Sequence, residues 1–149
     1  MHSWIEKYLV AFIVVDVLLI YASVSFVISR WSGWALLASR FRFDSKFTGT
    51  TWRWQSGQWR WLCGYNNALT IGVDPEGLYL ATLPFFLLFH PRLFIPWNEI
   101  TYARKSAWAT DGVRYSLGRD LRIPLWLKKQ TADRIKEAAG ASYPIETLE

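Results

Sequence analysis

The run YLVAFIVVDVLLIYASVSFVI, residues 8–28, decides how the rest of the chain is read, because it holds 21 residues and one charge, Asp16. A helix rises 1.5 Å per residue, so about 20 apolar residues cross a hydrocarbon core of ~30 Å. A membrane-spanning helix is predicted. Asp16 opposes insertion by roughly 2.5–3.5 kcal/mol, whereas each of the Leu, Ile, Val and Phe residues around it contributes up to ~0.3–0.6 kcal/mol in favour. With about fourteen such residues in the run, insertion wins. Trp4 and Tyr8 on one side, with Trp31 and Trp34 on the other, stand where aromatic rings prefer the headgroup layer.

The rival for this stretch is a secretory signal peptide. Its apolar region would be too long, the start pairs Glu6 with Lys7, and no small-x-small cleavage site occurs at residues 29–33. The flanks also set a direction. The near flank offers Lys7, while Arg30, Arg40, Arg42 and Lys46 come after the run, which places the carboxy-terminal part in the cytoplasm. The single cysteine, Cys63, agrees with a reducing compartment and excludes an internal disulfide framework or a multi-cysteine zinc site.

Asp16 is a candidate contact to a partner helix, since an intramembrane acid is expensive to leave in lipid. A protonated, lipid-tolerated carboxyl and a hydrogen bond within a homodimer are the other two readings. Ser23 and Ser25 can bond their own helix backbone.

Beyond the run, composition narrows the partners. The chain of 149 residues has room for one ordinary domain and carries a net charge of +5, with 52% hydrophobic, 17% aromatic and 19% charged residues. That is too apolar for disorder. Residues 30–60 contain six basic side chains (Arg30, Arg40, Arg42, Lys46, Arg53, Arg60) and one acid (Asp44). A basic segment beside a span attracts anionic lipid at about 1 kcal/mol per side chain. Residues 31–48 place Trp31, Trp34, Leu37, Ala38 and Phe41 at helical spacing, so an amphipathic juxtamembrane segment on the lipid surface is expected. Arg30, Arg40, Arg42, Lys46, Trp31 and Trp34 are therefore the candidate lipid contacts. The Trp52-Arg53-Trp54 and Trp59-Arg60-Trp61 triplets read as half-buried strands in preference to a nucleic-acid surface.

After Gly49 the period becomes two. Segments 50–55 and 58–63 are split by Ser56-Gly57, a hairpin signal, and 68–73 joins 77–83 through Asp74-Pro75-Glu76-Gly77, a strong turn. Gly77 is expected there to supply a positive backbone angle. Segments 93–95, 102–108, 113–117 and 121–123 complete seven or eight short strands, the pattern of a curled antiparallel sheet, a small barrel or sandwich of about seven strands. Thr131 as N-cap, Ala132, Ile135 and Ala138 or Ala139 on one face, and Gly140 as the stop predict a closing helix. Pro144 and the residues after it read as a tail. The domains are 1–30 as anchor, 31–48 as juxtamembrane segment and 49–149 as β-domain with its helix.

Strands closed by one helix, the run Ser32-Gly33-Trp34-Ala35, the stretch Tyr65-Asn66-Asn67-Ala68-Leu69-Thr70-Ile71-Gly72, and the pair Gly77-Leu78-Tyr79-Leu80 with Ile95-Pro96-Trp97-Asn98-Glu99-Ile100 together carry a resemblance. The chain resembles uncharacterised bacterial single-pass membrane proteins with a pleckstrin-homology-like (PH-like, or GRAM-like) domain. The resemblance implies a PH-like fold and a bacterial inner-membrane location, and brings no catalytic residue with it.

Chemistry is thinly provided. The histidines are His2 and His90, and no HExxH, CxxC, GxSxG, Walker or GxGxxG pattern occurs. His90 reads as a turn residue bonded locally, Cys63 as a packed thiol, and Asp74 with Glu76 as turn formers. No catalytic, metal or cofactor site is expected. The apolar run 83–89 (LPFFLLF) is too short and too broken by Pro84, His90 and Pro91 for a second span. It reads as core, or as a tip of Phe85, Phe86 and Leu87 that dips into the bilayer. These readings converge on a membrane-anchored binding module for lipid or a protein partner, with an accessory subunit of a larger membrane complex as the alternative.

Overall fold

The computed structural model describes residues 2–60, 63–84, 88–107 and 110–147. Helix α1 (His2–Ser32) contains the whole apolar run and is long and apolar enough to cross a membrane. It carries almost no protein cover until its last two turns, where Ser25, Ser29 and Ser32 are buried. Gly33 breaks it. Its φ of 90° lies where side-chain-bearing residues are strained, and a Cβ there would press on Ile123.

Helix α2 (Trp34–Phe41) comes immediately after and turns its apolar face to the sheet. Trp34 and Leu37 are fully buried in the core. The expected amphipathic helix therefore exists, but its buried stripe packs on protein where a lipid surface was expected. Trp34 is accordingly corrected from a headgroup anchor to a core residue, and Trp31, three positions earlier, stays exposed.

Strands β1 (Thr50–Gln58), β2 (Gly64–Val73), β3 (Gly77–Thr82), β4 (Leu93–Pro96), β5 (Ile100–Ala107), β6 (Thr110–Leu117), β7 (Ile123–Lys128) and β8 (Ile145–Glu146) form one curled sheet. Its order is β4-β3-β2-β1-β7-β6-β5-β8. All pairings are antiparallel except β5 with β8, so the sheet is mixed and has eight strands where about seven were expected. The two-residue β8 lies in the stretch read as a tail. It is held by pairing to Thr101 and Tyr102 and by Thr147, which donates its backbone N–H to the Tyr102 carbonyl at 2.8 Å.

No hairpin forms at Ser56-Gly57. Strand β1 runs straight through, pairing with β2 along its length and with β7 at Gly57 and Gln58, which joins the two halves of the sheet. Two register shifts and the positive φ of Trp54 (59°) bend the strand there. Gly57 is needed for close approach, since a Cβ would stand 2.8 Å from Leu69 and 3.0 Å from Leu125. The turn before β3 forms as expected, with the Asp74 carboxylate accepting the N–H groups of Glu76 and Gly77 at 2.7 and 2.9 Å. Gly77 is required for a different reason from the one expected: its φ is not positive, and a Cβ would strike the Ile95 carbonyl.

The core lies inside the curl, between Leu69, Ile71, Leu78 and Leu80 of one half and Tyr115, Leu117, Leu125 and Leu127 of the other. Helix α3 (Lys129–Ala139) closes it with Ala132 and Ile135, the latter fully buried and contributing about 1.5–3 kcal/mol on that account. Gly140 ends α3, whereas Thr131 lies within the helix and donates its hydroxyl to Gln55 at 3.1 Å. The outer face of β3 is covered as well. Residues 42–49 cross it, and Phe47 stacks on Tyr79 with centroids 4.6 Å apart.

Candidate functional site

The structure concentrates its unusual side chains where α1 meets the sheet. Ser25, Ser29 and Ser32 recur at four- and three-residue spacing, which puts small polar side chains on one side of the helix end and lets another segment lie close. That segment is 88–91. The Ser29 hydroxyl donates to the Phe89 carbonyl at 2.6 Å, and the Trp34 indole N–H donates to the Pro91 carbonyl at 2.9 Å. The joint is thus tied by hydrogen bonds from both helices to one short stretch.

Beneath it lies a closed polar group. Tyr65 and His90 share a hydrogen bond of 2.7 Å, Tyr65 donates to the Ser32 hydroxyl at 3.4 Å, and His90 is fully buried. His90 is therefore no exposed turn residue. Rings of Trp34, Trp59, Tyr65 and His90 pack within 5.2–6.2 Å of one another's centroids in five pairs. Burial pushes the Tyr65 phenol up to about 12, with the Ser32 hydroxyl pulling the other way. A neutral phenol in an aromatic box holds shape; it is not poised to exchange a proton near neutral pH.

The expected site residues separate. Arg30 and Trp31 stay exposed at the joint. Arg40 is ion-paired with Asp120 at 3.1 Å and Arg42 with Asp44 at 3.0 Å, both on the surface, and Lys46 is exposed further along the same loop. Trp34 is in the core. Asp16 is exposed midway along α1, remote from all of these. Phe85, Phe86 and Leu87 lie outside the described residues, as do Trp61 and Trp108.

The residues flanking that tip do carry information. Phe26 of α1 meets Phe89 edge-on at 5.3 Å, and Pro84 and Leu88 face Val15, Leu18, Leu19, Tyr21 and Ala22 across an open apolar groove of about 740 Å³. Pro84, Leu88 and Phe89 therefore lie beside α1. Arg92, exposed and two residues beyond His90, follows the same stretch, and its carbonyl accepts the Phe43 backbone N–H at 2.8 Å. Nothing local in the sequence separates Arg92 from the other surface arginines. Cys63 is half-buried against the core. Among the described residues, no three His, Cys, Asp or Glu side chains converge as metal ligands would.

In comparisons with family models, with curated proteins and with solved structures, nothing matches this chain.

Proposed function

We propose that the chain is a single-pass, cytoplasm-facing membrane protein whose PH-like β-domain binds by contact with anionic lipid, without catalysis. One observation carries this reading. The β-domain is bonded to the last turns of α1 through Ser29–Phe89 and Trp34–Pro91, so a span in α1 holds the 84–92 side of the domain against the bilayer. Pro84, Leu88 and Phe89 beside α1 then face the acyl region, and Arg30, Trp31 and Arg92 stand at headgroup depth. Large apolar side chains exposed from Trp4 to Val27 support the span, since water is a poor solvent for so long a bare run. The burial of Ser25, Ser29 and Ser32 supports retention of α1, because a removed leader would take half of the joint with it. The strand order 4-3-2-1-7-6-5 with a helix after β7 supports the PH-like reading.

The test uses the full chain extracted in mild detergent with mixed phospholipids. Native mass spectrometry should find anionic phospholipid retained over zwitterionic, with retention falling as salt rises. Arg30→Gln combined with Arg92→Gln should weaken that preference roughly thirtyfold, at about 1 kcal/mol per basic side chain. Equal retention of both lipids, or a preference that ignores salt, would overturn the reading. A second reading, an accessory subunit of a larger membrane complex, draws on Asp16, whose exposed carboxyl asks for a partner. Co-migration with other proteins in native gels of whole membranes would favour it.

A further inference from the structure

At 100° per residue, Ser25, Ser29 and Ser32 lie roughly 160–220° around α1 from Asp16. The β-domain and the 88–91 stretch thus take one side of the helix, and Asp16 is on the other. Its companions there are Leu9, Ile13, Ile20, Ser23 and Val27, all exposed. Their positions alternate by four and three residues, the seam of a two-stranded coiled coil. Any helix contains positions at this spacing. What sets these apart is that they gather Asp16 and Ser23, seven residues apart, on the side opposite the domain's attachment at the end of the helix.

We infer that α1 pairs in parallel with α1 of a second copy of this chain along Leu9, Ile13, Asp16, Ile20, Ser23 and Val27, with the two Asp16 carboxyls hydrogen-bonded across the axis. Depth and orientation select the occupant. A second copy carries its β-domain at the same end, so its helix enters the bilayer in the same direction and brings its own Asp16 to the same level. A carboxyl is complementary to itself: a protonated one donates and accepts, and one shared proton joins an acid to a carboxylate. Residues 9–27 span about 27 Å, close to the hydrocarbon thickness of ~30 Å. The next position of the seam is Arg30, already among headgroups. Both β-domains project away from the axis, so the contact is isologous and closes at two copies.

The inference rests on α1 lying in a bilayer, so alkaline carbonate extraction accompanies the test. The full chain bearing Cys63→Ser is purified and reconstituted into phosphatidylcholine–phosphatidylglycerol vesicles with one new cysteine at a time. Oxidation should give disulfide-linked dimers from Ile13→Cys and Ile20→Cys and none from Leu18→Cys or Ala22→Cys, which lie on the domain side. In energy-transfer measurements, Asp16→Leu should weaken dimerisation roughly tenfold, while Asp16→Asn, whose amide also donates and accepts, should retain it. Sedimentation of the unaltered chain should give the mass of a dimer whether or not the cysteine variants fold. A monomer there, linkage through Leu18→Cys, or pairing indifferent to Asp16→Leu would overturn the proposal. Monomers in carbonate-resistant vesicles would reject the seam and leave the span standing, whereas release by carbonate would reject the span itself. An Asp16-dependent link to a different protein in native membranes would assign the seam to a foreign helix and reject the second copy.

Discussion

The two sides of α1 differ more than any two elements of the sheet. On one, Ser25, Ser29 and Ser32 disappear under the β-domain, with Ser29 bonded to its backbone and Ser32 to Tyr65. On the other, Leu9, Ile13, Asp16, Ile20 and Ser23 have no cover at all. Both sides mix apolar and hydroxyl-bearing residues, so composition does not tell them apart. Small residues become docking residues where a neighbouring segment can reach them, and the proximity of Gly33 and α2 to the helix end provides that reach.

The largest way to break the comparison is at the tryptophans. Trp34→Ala removes a fully buried indole and its bond to Pro91, and should lower unfolding free energy by about 3–5 kcal/mol. Trp31→Ala, at an exposed indole, should stay within roughly 0.5 kcal/mol of the parent. Near-ultraviolet circular dichroism of the full chain in detergent reads both, and equal losses would erase the distinction between the sides.

Alkaline titration sharpens it. The folded state favours the neutral Tyr65 phenol, whose pKa rises from 10.0 to about 12, so its stabilisation is complete below pH about 10 and drains as pH climbs toward 12. Tyr65→Phe should remove that pH-dependent loss, about 2–3 kcal/mol across the window. A residual decline should remain, since Tyr115 is shifted in the same direction by its own burial. An unaltered alkaline profile would mean the box around His90 is open to water.

The smallest contrast lies between two serines. Ser29→Ala forfeits a bond across the joint and should cost about 1 kcal/mol, whereas Ser23→Ala loses only a 2.8 Å bond to its own helix at Leu19 and should cost under about 0.5 kcal/mol. Thermal midpoints in the same detergent separate them.

Much of the fold is legible in the residues themselves. The apolar run, the change of period after Gly49, the Asp74 turn and the face of α3 are local signals, and local signals decide elements. The joint is not legible, because its partners are 25–60 residues apart in sequence. Trp31 and Trp34 carry the same aromatic signal beside the same run, and the turn at Gly33 alone sends one outward and one into the core. Ser56-Gly57 has the chemistry of a hairpin, yet the glycine there serves close packing against Leu69 and Leu125. His90 has the look of a loop residue since prolines obey local rules, while its burial depends on Tyr65 from another strand. The expected lipid contacts share this history: Arg40 and Arg42 are basic in any reading, and only the fold supplies Asp120 as a distant counter-ion.

The short parallel strand β8 has a consequence for crowding. A bare sheet margin invites stacking into fibrils. One margin is the four-residue β4, stapled by a bridge from Arg42 to Leu93 and ended by Pro96; the other is β5, whose opening residues β8 and Thr147 already occupy. Among the described residues the ladder left at these two margins is short, the latter half of β5 on one and Phe94 with Ile95 on the other, which limits growth of sheets from chain to chain.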